Sequence, residues 1–171
     1  MFSVIFPGQG SQTVGMGREL FTKYGSIKKL FKEADEILGY PISELILDGP
    51  KDKLDLTENT QPSIFLISFS IFSVIKKEHG INLNNAKYFA GHSLGEYTAL
   101  AASGVLSFSE TLKILKVRGK AMQSAVPKGI GGMLAILGSD VERVEEIIKN
   151  FNCEIANDNS NGQLVISGKI N

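Results

Sequence analysis

Residues 89–96 have the sequence FAGHSLGE, which places Ser93 at the centre of a Gly-x-Ser-x-Gly pentad. This pattern is typical of a nucleophile elbow, in which a sharp turn between a strand and a helix exposes a serine in a strained conformation. Gly91 and Gly95 fit that geometry, because a side chain at either position would collide with the neighbouring strand or helix. Free backbone N–H groups at the start of the helix can then stabilise a developing oxyanion. The pentad therefore predicts acyl transfer through a serine ester.

The residues on either side of the pentad favour the same interpretation. Residues 87–91 form a short strand-like run, and residues 96–102 are good helix formers that end before Gly104. A strand, a tight turn and a helix thus follow one another in the order that an elbow requires. The alternative is a chance match, with a small serine accommodated in a tight glycine-rich turn.

Composition and charge are those of an ordinary globular protein. Of the 171 residues, 43% are hydrophobic and 21% are charged, and 18 basic side chains balance 18 acidic ones. No basic patch stands out, which argues against nucleic acid as a partner. Cys153 is the single cysteine and cannot form an intrachain disulfide, as expected for a reducing cytoplasm.

No segment of the sequence predicts a signal peptide or a membrane span. Residues 1–7 lack the basic and long apolar regions of a signal peptide and are typical of a first strand. The most apolar run, residues 64–75, is too short to span a bilayer and is interrupted by serines, so it predicts a buried helix. We therefore expect a cytoplasmic protein with no membrane partner.

The first part of the chain predicts an α/β core with a parallel sheet. A buried strand at residues 4–6 precedes the predicted helices, and a polar loop is expected at residues 48–60. Pro62 suits the first turn of the long helix, and the sequence Ser-Phe-Ser-Glu at 107–110 predicts a capping box for the helix after the elbow. The expected helices lie near residues 15–24, 26–38 (closed by Gly39), 42–47, 62–79 and 109–125.

After Pro127 the pattern changes to that of a small α+β unit. We expect a strand at residues 133–137, a helix at 140–151, and strands at 153–157 and 163–167 joined by a polar turn at 158–162. This β-α-β-β order predicts the start of a ferredoxin-like unit, which normally needs one more helix and strand.

Gln9 lies between two glycines in the segment FPGQGSQ, residues 6–12. The segment fits neither a dinucleotide-binding pattern, because Thr13 stands where the third glycine belongs, nor a phosphate loop. The glycines would let the backbone turn sharply and aim the Gln9 amide at an oxyanion. A plain strand-to-helix turn explains the same residues equally well.

Arg118 lies among apolar residues on the helix predicted after the elbow helix. An arginine in that setting is either on the solvated face or partly buried beside a partner. Arginine is well suited to bidentate recognition of a carboxylate. From the residues alone, a solvated surface arginine is the favoured interpretation.

Neither histidine of the chain is a convincing general base for Ser93. His79 is expected to cap a helix C-terminus. His92 is adjacent to Ser93 at an elbow, where consecutive side chains point in different directions. A serine nucleophile needs a base within hydrogen-bond reach, and the sequence offers no good candidate for it.

Five segments together resemble one enzyme family. FPGQGSQTVGMG, AGHSLGEYTAL and VRGKAMQ are similar to segments of the malonyl-CoA:acyl carrier protein transacylases of bacterial fatty-acid synthesis, as are TQPS at 60–63 and NDNSNGQLVISG at 157–168. The match runs in order over essentially the whole chain. It implies an α/β-hydrolase-like parallel-sheet core with an inserted ferredoxin-like α+β subdomain. The core would occupy residues 1–126 and the start of the subdomain residues 127–171, both incomplete.

The resemblance also implies the roles of individual residues. Ser93 matches the nucleophile that becomes malonylated. Gln9 and the backbone N–H of Leu94 match the oxyanion hole, and Arg118 matches the residue that pairs with the free malonyl carboxylate.

Two further positions and the partners follow from the same resemblance. Asn159 and Gln163 align near the thioester and the pantetheine arm. Malonyl-CoA and phosphopantetheinylated acyl carrier protein are the implied substrates, no metal or redox cofactor is required, and a monomer is expected for the complete protein.

The family continues beyond residue 171, and its catalytic histidine lies in that later part. The resemblance therefore implies that this chain is an N-terminal portion, roughly the first half, without the general base. One alternative is an acyltransferase domain of a polyketide or fatty-acid megasynthase, although the start at Met1 favours a stand-alone protein. The other is an inactive fragment able only to bind a carrier protein.

Overall fold

The computed structural model describes residues 2–126 and 129–170. The chain divides into two compact units, Met1–Gln123 and Ser124–Asn171. The boundary predicted at Pro127 falls outside the described residues.

The first unit combines a parallel two-stranded sheet with a set of helices. Within its described residues the elements are, in chain order, β1 (Ser3–Phe6), α1 (Arg18–Lys23), α2 (Gly25–Leu38), α3 (Ile42–Asp48), α4 (Lys51–Leu54), α5 (Thr57–Glu78), β2 (Tyr88–Gly91), α6 (Leu94–Ala102) and α7 (Phe108–Ala125).

The two strands of this unit are parallel, as predicted. The register pairs Ser3 with Tyr88 at one end and Phe6 with Gly91 at the other. Both strands therefore end at the same edge of the sheet, where the loops that follow them lie side by side. The carboxyl ends of parallel strands are the usual location of ligand sites in α/β folds.

Helix α5 forms the centre of the first unit. Its segment 64–75 is buried over most of its length, as the apolar run predicted, and Phe65 and Leu66 are fully buried. They pack in one cluster with apolar residues of α2, α3, α6 and α7, including Phe31, Leu94 and Leu112. Burial of apolar surface on this scale is the main stabilising contribution to such a unit.

The polar loop predicted at residues 48–60 is wrong. Helix α4 occupies part of it, and α5 begins at Thr57, five residues before Pro62. Pro62 therefore lies inside α5, where the carbonyl of Glu58 lacks its usual N–H donor. Thr60 is buried in the same part of the helix, and its hydroxyl donates to the carbonyls of Leu54 (2.6 Å) and Leu56 (3.1 Å).

The other helix boundaries agree with the predictions to within a few residues. The first predicted helix is shorter than expected, because a turn with positive φ at Gly15 and Gly17 precedes α1. Gly39 ends α2 with φ 74°, as expected for a helix C-cap. No helix in the described part of the chain is long and apolar enough to cross a membrane.

The capping box predicted before α7 is confirmed. The backbone N–H and the hydroxyl of Ser107 donate to the carboxylate of Glu110 over 2.9 and 2.6 Å, and the Glu110 N–H donates to Ser107 Oγ over 3.2 Å. The hydrogen bonds from Ser107 hold the pKa of the Glu110 carboxyl below its ordinary value. This box fixes the start of the helix that carries Arg118.

The second unit has the predicted β-α-β-β order. Its elements are β3 (Gly131–Leu137), α8 (Val141–Ile148), β4 (Cys153–Ser160) and β5 (Gln163–Lys169). The sheet order is β3-β5-β4 and both pairings are antiparallel. Helix α8 is shorter than the predicted 140–151. Asp140 is its N-cap and accepts from the Arg143 N–H over 2.8 Å, and the helix ends at Ile148.

The five-residue polar turn predicted at 158–162 is wrong. Strand β4 continues through the polar residues to Ser160, and the turn consists of Asn161 and Gly162 alone. Gly162 has φ 78°. Asn-Gly is the preferred pair for a two-residue hairpin, and two register shifts in β4 accommodate its remaining residues.

Candidate active site

Ser93 has the strained backbone conformation expected of a nucleophile elbow. It lies between the end of β2 and the first residue of α6 with φ 55° and ψ −113°. Among the described residues it is the only one other than glycine with a positive φ. Such strain persists only where the surroundings impose it, and it is concentrated at functional sites. The side chain is exposed, as a nucleophile must be.

Gly91 and Gly95 impose this geometry, as predicted. A Cβ atom on Gly91 would overlap the carbonyl group of Gly95. A Cβ atom on Gly95 would lie 2.5 Å from the carbonyl oxygen of Phe6 and 2.7 Å from that of Pro7. The first turn of α6 therefore packs directly against the ends of both strands, at a distance that only glycine permits.

The loop after β1 lies against the elbow. The His92 N–H donates to the Phe6 carbonyl over 3.3 Å, and a Cβ atom on Gly8 would lie 2.8 Å from His92 Nδ1. The exposed Gln9 follows directly, and its Nε2 donates to Thr57 Oγ1 over 3.3 Å. A glutamine amide has two N–H donors, so this bond leaves one for another acceptor.

The start of α6 offers one backbone donor next to Ser93. The Gly95 N–H donates to the His92 carbonyl over 2.9 Å, and the Glu96 N–H donates to the Ser93 carbonyl over 3.1 Å. No described residue accepts a hydrogen bond from the Leu94 N–H. Leu94 is the first helical residue, so this donor also lies at the positive end of the helix dipole.

Arg118 is half-buried beside Ser93, so its interpretation as a solvated surface residue is wrong. Its Nη2 donates to Ser93 Oγ over 3.0 Å, and its Nη1 donates to Gln61 Oε1 over 2.6 Å. The guanidinium also lies over the ring of Tyr97, 5.6 Å from the ring centroid. Such a cation–π contact is attractive and favours a fixed orientation of the planar group.

The charge of Arg118 is not compensated by a carboxylate of the described residues. The ion pairs found among them involve other groups: Arg18–Asp48, Lys32–Glu36, Lys51–Asp55 and Arg143–Glu146. Gln61 and Ser93 are neutral acceptors, so neither of them offsets the positive charge of the guanidinium. An anionic group bound there would find an unpaired cation with bidentate geometry.

The two histidines do not act on Ser93 in this arrangement. His79 is the C-cap of α5, 18 residues beyond Gln61, which corresponds to about 27 Å along the helix. The ring of His92 packs against Gly8, and no hydrogen bond joins it to Ser93 in the described structure. Nor does any group of three or more described His, Cys, Asp or Glu residues form a possible metal site.

Asn159 and Gln163 lie in the second unit. Both are exposed and flank the Asn161–Gly162 turn, one near the end of β4 and the other at the start of β5. Their predicted role near the thioester stays a prediction.

Sequence reasoning gave no role to the residues that hold Arg118 in place. Gln61 and Tyr97 lie within segments that carried the family resemblance, but nothing in their local sequence indicates a contact with Arg118. The sequence predicts the long helix only from Pro62, one residue after Gln61, so it gives no signal that Gln61 is buried and needs a partner.

The chain is similar to known proteins over nearly its whole length. The family model for the acyl transferase domain matches residues 3–171. A malonyl CoA-acyl carrier protein transacylase from Haemophilus influenzae is 43% identical over 171 residues, which cover 98% of this chain and 54% of that protein. The chain thus spans about half the length of the curated relatives it matches.

Two solved structures share the fold. The acyl-carrier-protein-S-malonyltransferase from Bartonella henselae is 43% identical with a TM-score of 0.89, over 99% of this chain and 55% of that one. A malonyl-transacylase in complex with its type II PKS acyl-carrier protein is 38% identical with a TM-score of 0.86, over 98% and 55%. These likenesses confirm the predicted fold class.

Proposed function

Because the chain belongs to the acyl transferase domain family, we propose that Ser93 accepts a malonyl group from malonyl-CoA and passes it to the phosphopantetheine thiol of acyl carrier protein. The observation that carries this proposal is the hydrogen bond from Arg118 to Ser93 Oγ, made by a guanidinium without a carboxylate partner among the described residues. The names of the relatives support the same reaction.

In the first half-reaction Ser93 Oγ bonds to the thioester carbonyl carbon. The carbon–sulfur bond then breaks, and the serine proton ends on the thiol of CoA. In the second half-reaction the phosphopantetheine thiol attacks the serine ester, the bond to Oγ breaks, and the thiol proton returns to Ser93. Splitting the transfer into two steps lets one site serve two large thiol substrates in turn.

The oxyanion of each tetrahedral intermediate needs donors that are already in place. We assign this role to the Leu94 N–H, which is unused by the described residues, and to the second N–H of the Gln9 amide. Fixed donors of this kind lower the barrier because they require no reorganisation during the reaction.

Arg118 gives the proposed site its preference for an acid-bearing acyl group. In a malonyl ester the free carboxylate is separated from Oγ only by the carbonyl carbon and a methylene group, so it falls within reach of the guanidinium. An acetyl ester has no group to pair with this charge. The difference favours malonyl over acetyl substrates.

Proton transfer requires a base that the described residues do not supply. We assign it, as the resemblance implies, to a histidine outside these 171 residues. The proposed chemistry needs no metal or redox cofactor. Its substrates belong to the cytoplasm, where we propose that the protein acts.

The direct test is mass spectrometry of the protein produced from its complete gene after incubation with malonyl-CoA. We expect one added malonyl group on the peptide that contains Ser93, and its loss when holo acyl carrier protein is added. Absence of the adduct, or its presence on another residue, would refute the assignment.

A carrier from polyketide synthesis is a second candidate acceptor. The observation that favours it is the solved malonyl-transacylase bound to a type II PKS acyl-carrier protein. Transfer rates to a fatty-acid carrier and a polyketide carrier, measured side by side, distinguish the two. The same assay on the 171-residue chain alone tests the need for a base outside it: we expect no turnover, and robust turnover would show that no further histidine is required.

A further inference from the structure

The first two turns of α5 contact both polar side chains assigned to the reaction. We infer that Gln61 and Thr57 are positioning residues, Gln61 for the Arg118 guanidinium and Thr57 for the Gln9 amide. This inference rests on the proposed function, because it concerns how the same site recognises its acyl group and its oxyanion. The two residues are four positions apart and therefore lie on one face of the helix.

Gln61 is fully buried, and both the oxygen and the nitrogen of its side-chain amide are hydrogen-bonded. Its Oε1 accepts from Arg118 Nη1 over 2.6 Å, and its Nε2 donates to Met122 Sδ over 3.2 Å. Because a guanidinium can only donate, the oxygen of the amide must face Arg118. A side chain fixed in this way holds one end of a long and otherwise mobile arginine.

The neutrality of Gln61 matters as much as its position. A carboxylate at position 61 would also hold Arg118, but it would offset the positive charge that would otherwise attract the acyl carboxylate of the substrate. An amide orients the guanidinium and leaves its charge uncompensated. The pair thus combines a fixed donor geometry with an open electrostatic site for an acyl carboxylate.

Close packing between α5 and α7 sets the distance between Gln61 and Arg118. A Cβ atom on Gly119 would lie 2.7 Å from the Glu58 Cα and 2.9 Å from the Thr57 carbonyl oxygen. The helix that carries Arg118 therefore touches the backbone at the start of α5. Gln123, further along α7, accepts from the Thr57 N–H over 3.3 Å and ties the same turn to the same helix.

Thr57 supports the other side of the site. Its hydroxyl accepts the 3.3 Å hydrogen bond from Gln9 Nε2 and occupies one of the two amide N–H groups. This hydrogen bond thereby restrains the direction of the remaining N–H of an exposed side chain. A loss of this support is expected to weaken the oxyanion donor without changing which acyl group is bound.

The test compares Gln61→Met and Gln61→Glu with Thr57→Val in the protein from its complete gene. The measured quantity is kcat/KM for acylation of Ser93 by malonyl-CoA and by acetyl-CoA. We expect both Gln61 variants to lose about tenfold or more in malonyl-over-acetyl selectivity. Thr57→Val is expected to slow both acylations by a similar factor, about tenfold, and to keep the selectivity.

Two further variants separate positioning from loss of structure. Thr57→Ser keeps the hydroxyl and is expected to restore most of the rate. Thr22→Val makes the same change on the exposed surface of α1, where the hydroxyl donates only to the Arg18 carbonyl, and is expected to leave both rates unchanged. Unchanged selectivity in both Gln61 variants, or equal loss of both activities in all α5 variants, overturns the inference.

A measurement without substrate keeps this inference distinct from the proposed function. In ¹⁵N-arginine NMR spectra, we expect slow rotation of the Arg118 guanidinium in the wild type and faster rotation in Gln61→Met, with Arg118→Lys providing the assignment. If the rotation differs in this way but wild-type Ser93 is not malonylated, the proposed function is refuted and the positioning of Arg118 by Gln61 is supported. Malonylation with equal guanidinium rotation in both proteins refutes the positioning role.

Discussion

The Arg118 guanidinium donates a hydrogen bond to Ser93 Oγ over 3.0 Å, although the two residues are 25 positions apart and belong to different elements of the fold. Ser93 comes from the elbow before α6, and Arg118 comes from the middle of α7. This contact joins the proposed nucleophile to the proposed recognition group in one site. It also explains why an elbow that predicts acyl transfer in general becomes a candidate for one kind of acyl group.

Replacing Arg118 should reduce selectivity more than it reduces reactivity. We expect Arg118→Ala to lower kcat/KM for malonyl-CoA by a factor of tens to hundreds, corresponding to about 1.5–3 kcal/mol for a lost charged hydrogen bond. Arg118→Lys should recover only part of this, because an ammonium cannot form the bidentate pair.

The readout for these variants is the ratio of malonyl to acetyl transfer. Arg143→Ala serves as the control, because that arginine is exposed and pairs with Glu146 in the second unit. If Arg118→Ala discriminates the two thioesters as well as the wild type does, the recognition role is incorrect.

Ser93 should store measurable backbone strain. Its φ of 55° is unfavourable for any residue with a Cβ atom but not for glycine. We therefore expect Ser93→Gly to be more stable than Ser93→Ala by about 1 kcal/mol, while both lose acylation completely.

Denaturant unfolding of the two Ser93 variants checks this prediction. The comparison is well matched because both changes remove the hydroxyl and its bond to Arg118, and only one removes the Cβ atom. An alanine variant as stable as the glycine variant would show that the elbow is relaxed.

The glycines of the pentad should resist substitution far more than an ordinary helical glycine. Gly91→Ala and Gly95→Ala place a methyl group against backbone atoms that cannot move independently, so we expect a loss of more than about 3 kcal/mol or a failure to fold. Gly25→Ala, at the start of α2, meets no atom within 4 Å and has no positive φ. We expect it to be neutral or slightly stabilising.

Thermal unfolding temperatures of the three glycine variants test this prediction. A Gly91 or Gly95 variant that unfolds at the temperature of Gly25→Ala would contradict the close approach of α6 to the strand ends.

The capping box should make the stability of α7 dependent on pH. Hydrogen bonds from Ser107 lower the pKa of the Glu110 carboxyl in the folded state. Its contribution is therefore fully present above the ordinary glutamate pKa and is lost as the pH falls through the lowered value. Glu110→Gln should be less stable than the wild type near neutral pH, and the difference should shrink on acidification.

Urea unfolding at a series of pH values measures this difference. Glu142→Gln on α8 is a suitable control, because that side chain is exposed and lies outside the capping box. A gap between wild type and Glu110→Gln that stays constant from neutral to acidic pH would argue against the linkage.

Local features were predictable from the sequence because their causes act over a few residues. The pentad specified strand, turn and helix through the sterics of two glycines, and Ser107 with Glu110 specified a helix start through reciprocal hydrogen bonds. The strands also have local signals, and the order of strands and helices predicts that they pair in parallel. The Asn161–Gly162 hairpin also has a local signal, but the polar residues before it were assigned to the turn because β4 has few apolar residues.

The start of α5 was not predictable in the same way. A proline inside a helix and polar side chains in its first turns normally indicate a loop. Thr60 and Gln61 are compatible with a helix here because each finds a partner, one in the preceding turn and one on α7. The second of these partners is more than 50 positions away.

The sequence by itself therefore determined the elbow and the start of α7, because backbone sterics and capping are settled within a few neighbouring residues. Only the tertiary structure decided that Arg118 is half-buried, that its hydrogen-bond acceptors are neutral, and that it donates to Ser93. Its helix carries apolar and charged residues that are compatible with either orientation. The packing of Gly119 against the start of α5 brings Gln61 to the guanidinium, and that contact between distant segments fixes the site.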